Sequence, residues 1–390
     1  MSWLKSWQGW RRYSRLGPEW KRIVFYSESG QDWHVFEPLI SELLDRHGER
    51  ITYISSDSGD PGLALQHTGY RAIYLPEGLF LIIHFQVLKA RLLILTMMDL
   101  GNLQLKKSIH PVHYLYLFHS MGSTHMVDHA NSYDAYDSLF CVGPHHVAEL
   151  RRRETLADLP ARHLFQYGHP RLEQLRREAD NREDAPETGA PPVVLIAPTW
   201  GDHAILNACG TSLIETLLDA GMHVILRPHH HTARLTPSLI RDLHERFGGH
   251  PRFESVMQMG ETDSLFRSDV VVCDWSAMAI EYFLGLGKPV LFIDLPRRIR
   301  NPDWKDWGLE PFESSIREHA GATLPPREMA RVPECIRQLL FERKDLEEHA
   351  AEIRARAVFN FGHSVKAGAD EIVRLAAELS GRENPGSAHD

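Results

Sequence analysis

Apolar positions along the chain follow two alternating rhythms. Short continuous runs, "RIVFY" (22–26), "ITYIS" (51–55), "RAIYL" (71–75), "RLLILT" (91–96), "HYLYLF" (113–118), "SLFCVG" (138–143) and "HLFQYG" (163–168), read as strands. Between them lie helical patterns, such as Phe36, Leu39, Ile40, Leu43 and Leu44, and residues 145–153. Runs without polar alternation predict strands buried on both faces, which is the signature of a parallel sheet covered by helices. "READNREDAPETGAPP" (177–192) breaks the rhythm and reads as a linker. The pattern then restarts with "VVLIAP" (193–198), "HVILR" (223–227), "RFES" (252–255), "DVVVCD" (269–274) and "PVLFID" (289–294), with helices near 211–220, 235–247 and 276–286. The expected fold is α/β: two Rossmann-like, doubly wound domains, 23–180 and 190–345, facing a cleft. Helices over 346–380 and a disordered polar tail, 381–390, should follow.

Composition adds little to this picture. Of 390 residues 43% are hydrophobic and 24% charged, as in an ordinary globular protein, and the net charge of −9 argues against nucleic acid as a partner. The four cysteines are scattered without a C-x-x-C pair, and the first residues lack the apolar core of a secretory leader. Lys89 and Arg91 interrupt the most membrane-like window, 78–98, so two buried elements are expected there and not a span. Residues 1–22 are different, with six Lys/Arg against one Glu, and Trp3, Leu4, Trp7 and Trp10 at helical spacing. Such a helix either lies on an anionic membrane surface or packs its tryptophans onto its own domain.

Ligands of doubly wound sheets bind outside the carboxyl ends of the strands, so the residues following each run are the candidates. These are His119 after "HYLYLF", Gly168-His169-Pro170-Arg171 after "HLFQY", Thr199 after "VVLIAP", Arg227 and His229 after "HVIL", and Asp274 and Ser276 after "DVVVC". Asp274 or Ser276 can cap the helix starting near Ala277, whose free N–H groups make a phosphate seat, and Glu281 is near enough to reach a ribose hydroxyl. Arg227 suits phosphate oxygens. His229 could donate to a leaving group, and His119 could take a proton from an acceptor hydroxyl. His229, His230 and His231 are adjacent, so they point to different sides and make a poor metal site. No metal or other cofactor is expected.

With these residues in view, four ordered segments resemble the CDP-glycerol glycerophosphotransferase family, the teichoic-acid type polyol-phosphate transferases. "YGHPRLEQL" (167–175) is similar to the family's G-Y-P-R, "LIAPTWGD" (195–202) to A-P-T-W-R-D, and "ILRPHH" (225–230) to L-R-x-H-P. "DSLFRSDVVVCDWSAMAIEYFLGLGKPVLFID" (263–294) resembles the family's long S-D…D-Y-S-S…K-P segment. The resemblance implies a glycosyltransferase B fold and transfer of glycerol- or another polyol-phosphate from a CDP-linked donor to a hydroxyl of a membrane-anchored glycan or lipid acceptor, releasing CMP. It also implies that His119 and His229 are the reacting histidines, that Ser276 holds the pyrophosphate, and that the protein is cytoplasmic and peripheral on the membrane. The chain departs from the pattern at Ser120, Gly201, His230 and Ala277, and across "RRIRNPDWKDWGLEPF" (297–312). Two alternatives follow: a glycosyltransferase B or epimerase using a UDP- or CMP-sugar, and a non-catalytic scaffold of a polymer assembly complex.

Overall fold

The computed structural model describes residues 2–102, 105–182, 189–257 and 262–381. The centre of the expected linker and nearly all of the polar tail lie outside the described residues. Elsewhere every run read as a strand becomes one. β1 (Ile23–Ser27), β2 (Ile51–Ser55), β3 (Tyr70–Tyr74), β4 (Leu92–Leu95), β5 (His113–Leu117), β6 (Ser138–Cys141) and β7 (His163–Gln166) form one parallel sheet, ordered β3-β2-β1-β4-β5-β6-β7. β8 (Val193–Ile196), β9 (His223–Leu226), β10 (Phe253–Ser255), β11 (Val270–Cys273), β12 (Val290–Ile293) and β13 (Gly321–Leu324) form the second, ordered β10-β9-β8-β11-β12-β13. β13 was not visible in the pattern, because this edge strand leaves Thr323 exposed and has one buried side chain, Leu324.

Both orders reverse direction, at β1/β4 and at β8/β11, and these switch points open crevices beyond the strand ends. Helices fill the faces. Trp33–Asp45 buries Phe36, Leu39, Ile40, Leu43 and Leu44 against the first sheet, as their spacing predicts. The helical tail is not continuous. Its last helix, Ser364–Gly381, returns to the first unit and packs Ala369, Ile372 and Ala376 into the core that holds Leu39 and Leu43.

The chain therefore crosses between the units twice, and the crossings touch. Phe359 N donates to Val142 O at 2.9 Å. Gly168, at φ 106°, lies so close that a Cβ there would stand 2.2 Å from Phe359 O. A side chain at this position would meet both a steric and a backbone penalty.

The N-terminal helix Ser2–Ser14 packs one face on the domain and turns the other to solvent. Ser6 and Tyr13 are buried, and a Cβ on Gly9 would come 2.3 Å from Tyr74 O, so the inner face docks closely on β3. Trp3 and Leu4 face outward, 61% and 51% exposed. The neighbouring helix Leu79–Gln86 extends that surface with Leu79 (69% exposed) and Ile83, and Trp3 meets Phe80 edge-on. The window 78–98 is thus only partly buried: β4 is buried, and the helix before it buries Leu81, His84 and Phe85 while Leu79 and Ile83 face out. No helix among the described residues is long and apolar enough to cross a membrane.

Candidate functional site

Loops from both sheets enclose a cavity of about 390 Å³. The first unit supplies His119, Ser120 and Thr124, and the second supplies Thr199, Trp200, His229, Ser276, Glu281 and Arg298. A cavity of about 610 Å³ adjoins it, lined by Arg227, Pro198 and Val256 of the second unit and Gln31 of the first, and the two share His229, Ser276 and Met278. Both open beyond the carboxyl ends of β5, β8, β9 and β11, where the strand-end rule directs attention.

His119 follows β5. Burial holds its pKa below the usual 6.5, although Asp32 and Glu281 pull the other way. The ring is therefore neutral at physiological pH, the form able to accept a proton. Its Nδ1 is buried and has no hydrogen-bond partner among the described residues. Asp32, in the loop after β1, is itself raised above an ordinary carboxylate by burial, with His119 and Ser27 lowering it. Asp32 was not among the expected residues, although "SESGQDWH" follows β1 just as the other candidate loops follow their strands.

His229 ends the β9 loop. Its Nδ1 accepts from His231 N at 3.1 Å, which leaves the proton on Nε2 as the available donor. Burial, then His230, His231 and Arg298, lower its pKa to about 3. It is a neutral hydrogen-bond donor and not the imidazolium that a neighbouring phosphate would favour.

Ser276 caps the helix Ala277–Leu286, its Oγ accepting from Met278 N at 3.3 Å. The positive end of that helix faces both cavities. Asp274 is engaged elsewhere. Its two carboxylate oxygens accept from Thr199 N (2.8 Å) and Ile205 N (3.0 Å), clamping the β8 loop. Thr199 is held at the cavity wall by this clamp. Arg227 lines the larger cavity and reaches towards Ser264 at 3.5 Å.

The remaining candidates support the wall or lie behind it. Arg171 Nε donates to Glu281 Oε2 at 2.8 Å, and the pairing holds the Glu281 carboxyl below its ordinary range against the opposing effect of burial. His169 caps the helix Pro170–Asp180, its Nδ1 accepting from Leu172 N at 3.1 Å. Burial lowers its pKa to about 4. Gly168 does not line either cavity and sits at the seam with Phe359. Among the described residues no three His, Cys, Asp or Glu side chains group as a metal site.

No family model matches this chain, and no curated protein matches it. Solved structures share its fold. A wall teichoic acid polymerase, TagF, soaked with CDPG, is 15% identical with a TM-score of 0.61, covering 96% of this chain and 94% of that one. UDP-GlcNAc 2-epimerase from Neisseria meningitidis bound to UDP-GlcNAc is 11% identical with a TM-score of 0.60, covering 90% and 99%. The corresponding epimerase of Methanocaldococcus jannaschii, in complex with UDP-GlcNAc and UDP, is 11% identical with a TM-score of 0.55, covering 91% and 99%. The architecture is the two-domain glycosyltransferase B type.

Proposed function

We propose that the protein transfers glycerol-phosphate, or a related polyol-phosphate, from a CDP-linked donor to a hydroxyl of a membrane-anchored acceptor. The observation that carries this reading is the meeting of His119 and His229, from different units, in one cavity with Ser276. The nucleoside would occupy the larger cavity beside Arg227, with the pyrophosphate at Ser276 and the helix N-terminus behind it. His119 accepts the proton of the acceptor hydroxyl as its oxygen attacks the donor's distal phosphorus. The bond from that phosphorus to the bridging oxygen breaks, and CMP leaves with the electron pair. His229 Nε2–H donates to the leaving oxygens, and the fixed dipole of the helix offsets the charge that develops there.

Nucleotide release from CDP-glycerol, CDP-ribitol, UDP-sugars and CMP-sugars tests the reading. CMP from a CDP-polyol is expected, falling by about 10²-fold or more in His229→Ala. UDP released from a UDP-sugar instead would support the sugar-nucleotide alternative, which shares the fold of the epimerases. Binding of donors without turnover of any would favour a scaffold.

A membrane-anchored acceptor requires the protein to work at the cytoplasmic membrane face. Trp3, Leu4 and Lys5 on the exposed side of the first helix support that location. Trp3→Ser with Trp7→Ser is expected to weaken co-sedimentation with anionic vesicles by roughly tenfold. Equal sedimentation of variant and parent would rule out this helix as the anchor.

A further inference from the structure

We infer that Arg298, stacked on Trp200, is a phosphate-binding residue on the side of the cleft where transfer takes place. The inference deepens the function proposed above and concerns residues 296–307, which follow β12 and depart from the resembled family.

The segment is a strap from the second unit to the first. Arg300 N and Asn301 N donate to Met126 O at 3.0 and 3.3 Å, and Asn301 Nδ2 donates to His125 O at 2.8 Å. From the other side, Arg152 Nε donates to Trp307 O at 2.9 Å. Thus anchored, the strap carries several arginines to the cleft, and they have different partners. Arg297 lies between Trp275 (4.5 Å) and Trp304 (5.5 Å) and pairs with Glu310 at 3.7 Å. Arg317, beneath, stacks on Trp275 at 4.1 Å and donates to Asp274 O. Both are committed to structure.

Arg298 differs. Its guanidinium lies 3.9 Å from the Trp200 ring centroid, it is half-buried, and among the described residues it makes no ion pair. It lines the cavity that holds His119 and His229, and not the larger, nucleoside-side cavity. Burial and Arg300 disfavour its charge, whereas Asp128 supports it. A guanidinium held over an indole face keeps N–H groups for another partner, and its planar fork matches the oxygens of a phosphate. Neighbouring donors suit the same ligand: His229 Nε2–H and the N-terminus of Ala277–Leu286.

The phosphate has two candidate sources, the donor's transferred group or a phosphate carried by the acceptor. Calorimetric titration with inorganic pyrophosphate and with glycerol 1-phosphate separates them, the latter with and without pyrophosphate present. Wild type is expected to bind at least one probe at millimolar concentration. Arg298→Ala should weaken that binding by about tenfold or more, with Arg298→Lys recovering part of it and Trp200→Ala resembling the alanine variant. A loss confined to pyrophosphate identifies the donor. Loss of glycerol 1-phosphate binding to the pyrophosphate complex, in which the donor's phosphate positions are already filled, identifies the acceptor. Equal affinities in wild type and Arg298→Ala, or no binding of either probe by wild type, would overturn the assignment. These probes require no turnover, so the assignment can fail while CDP-polyol transfer stands, or hold while it fails.

Discussion

Replacing His119 with alanine is expected to lower transfer by about 10²–10⁴-fold while leaving donor binding within a few-fold of wild type. The expectation follows from position. His119 comes from the first unit, at the end of β5, whereas Ser276, Arg227 and the helix N-terminus belong to the second. Removing it deletes proton acceptance and leaves the donor seat intact. Its protonation behaviour gives a second readout. Burial lowers the pKa below 6.5, and a base works only when neutral, so activity should fall on acidification with a limb below that value. Asp32 is the leading charge favouring the protonated ring, so Asp32→Asn should move the limb to still lower pH. Loss of donor binding in His119→Ala, or an unchanged rate, would remove the base assignment.

The second large effect is on stability and concerns Glu149. This buried carboxylate accepts from Thr124 N (2.6 Å) and Thr124 Oγ1 (2.7 Å), and lies 3.2 Å from His125 Nδ1. Both partners sit in the loop that His119 opens. Glu149→Ala would strand the buried His125 and release that loop, at a cost of about 3–5 kcal/mol in urea unfolding at neutral pH. Burial raises the Glu149 pKa, but His125, His145 and His146 outweigh it and hold the group down to about 2, against 4.5 when unperturbed. A depressed carboxylate stabilises the fold above its unfolded pKa and loses that contribution as pH falls from about 4.5 towards 2. The stability gap between wild type and Glu149→Gln should therefore close across that window. A gap independent of pH would mean that the charge is not what holds the loop.

Much of this architecture is written in the local pattern. Strands such as "LLIL" and "VVVC" are buried on both faces, so their apolar runs are unbroken and easily seen. β13 is an edge strand with little to bury, and its sequence carries no comparable signal. The strand-end rule pointed to His119, Thr199, His229 and Ser276, which line one cavity. It could not reveal how they are partnered. Asp274 gives both oxygens to backbone N–H groups, Glu281 is claimed by Arg171 across 110 residues of chain, and Gly168 serves the seam with Phe359. These roles depend on contacts made after the units pack, and no local spacing encodes them. Arg298 was hidden for the same reason: its site exists only once the strap crosses to Met126.

The central claim is that the attacked atom is phosphorus. Phosphorus NMR of the reaction with CDP-glycerol and a membrane extract tests it directly. CMP is expected together with a new phosphodiester resonance, both lost in His229→Ala. Release of CDP, with the glycerol transferred free of its phosphate, would contradict it.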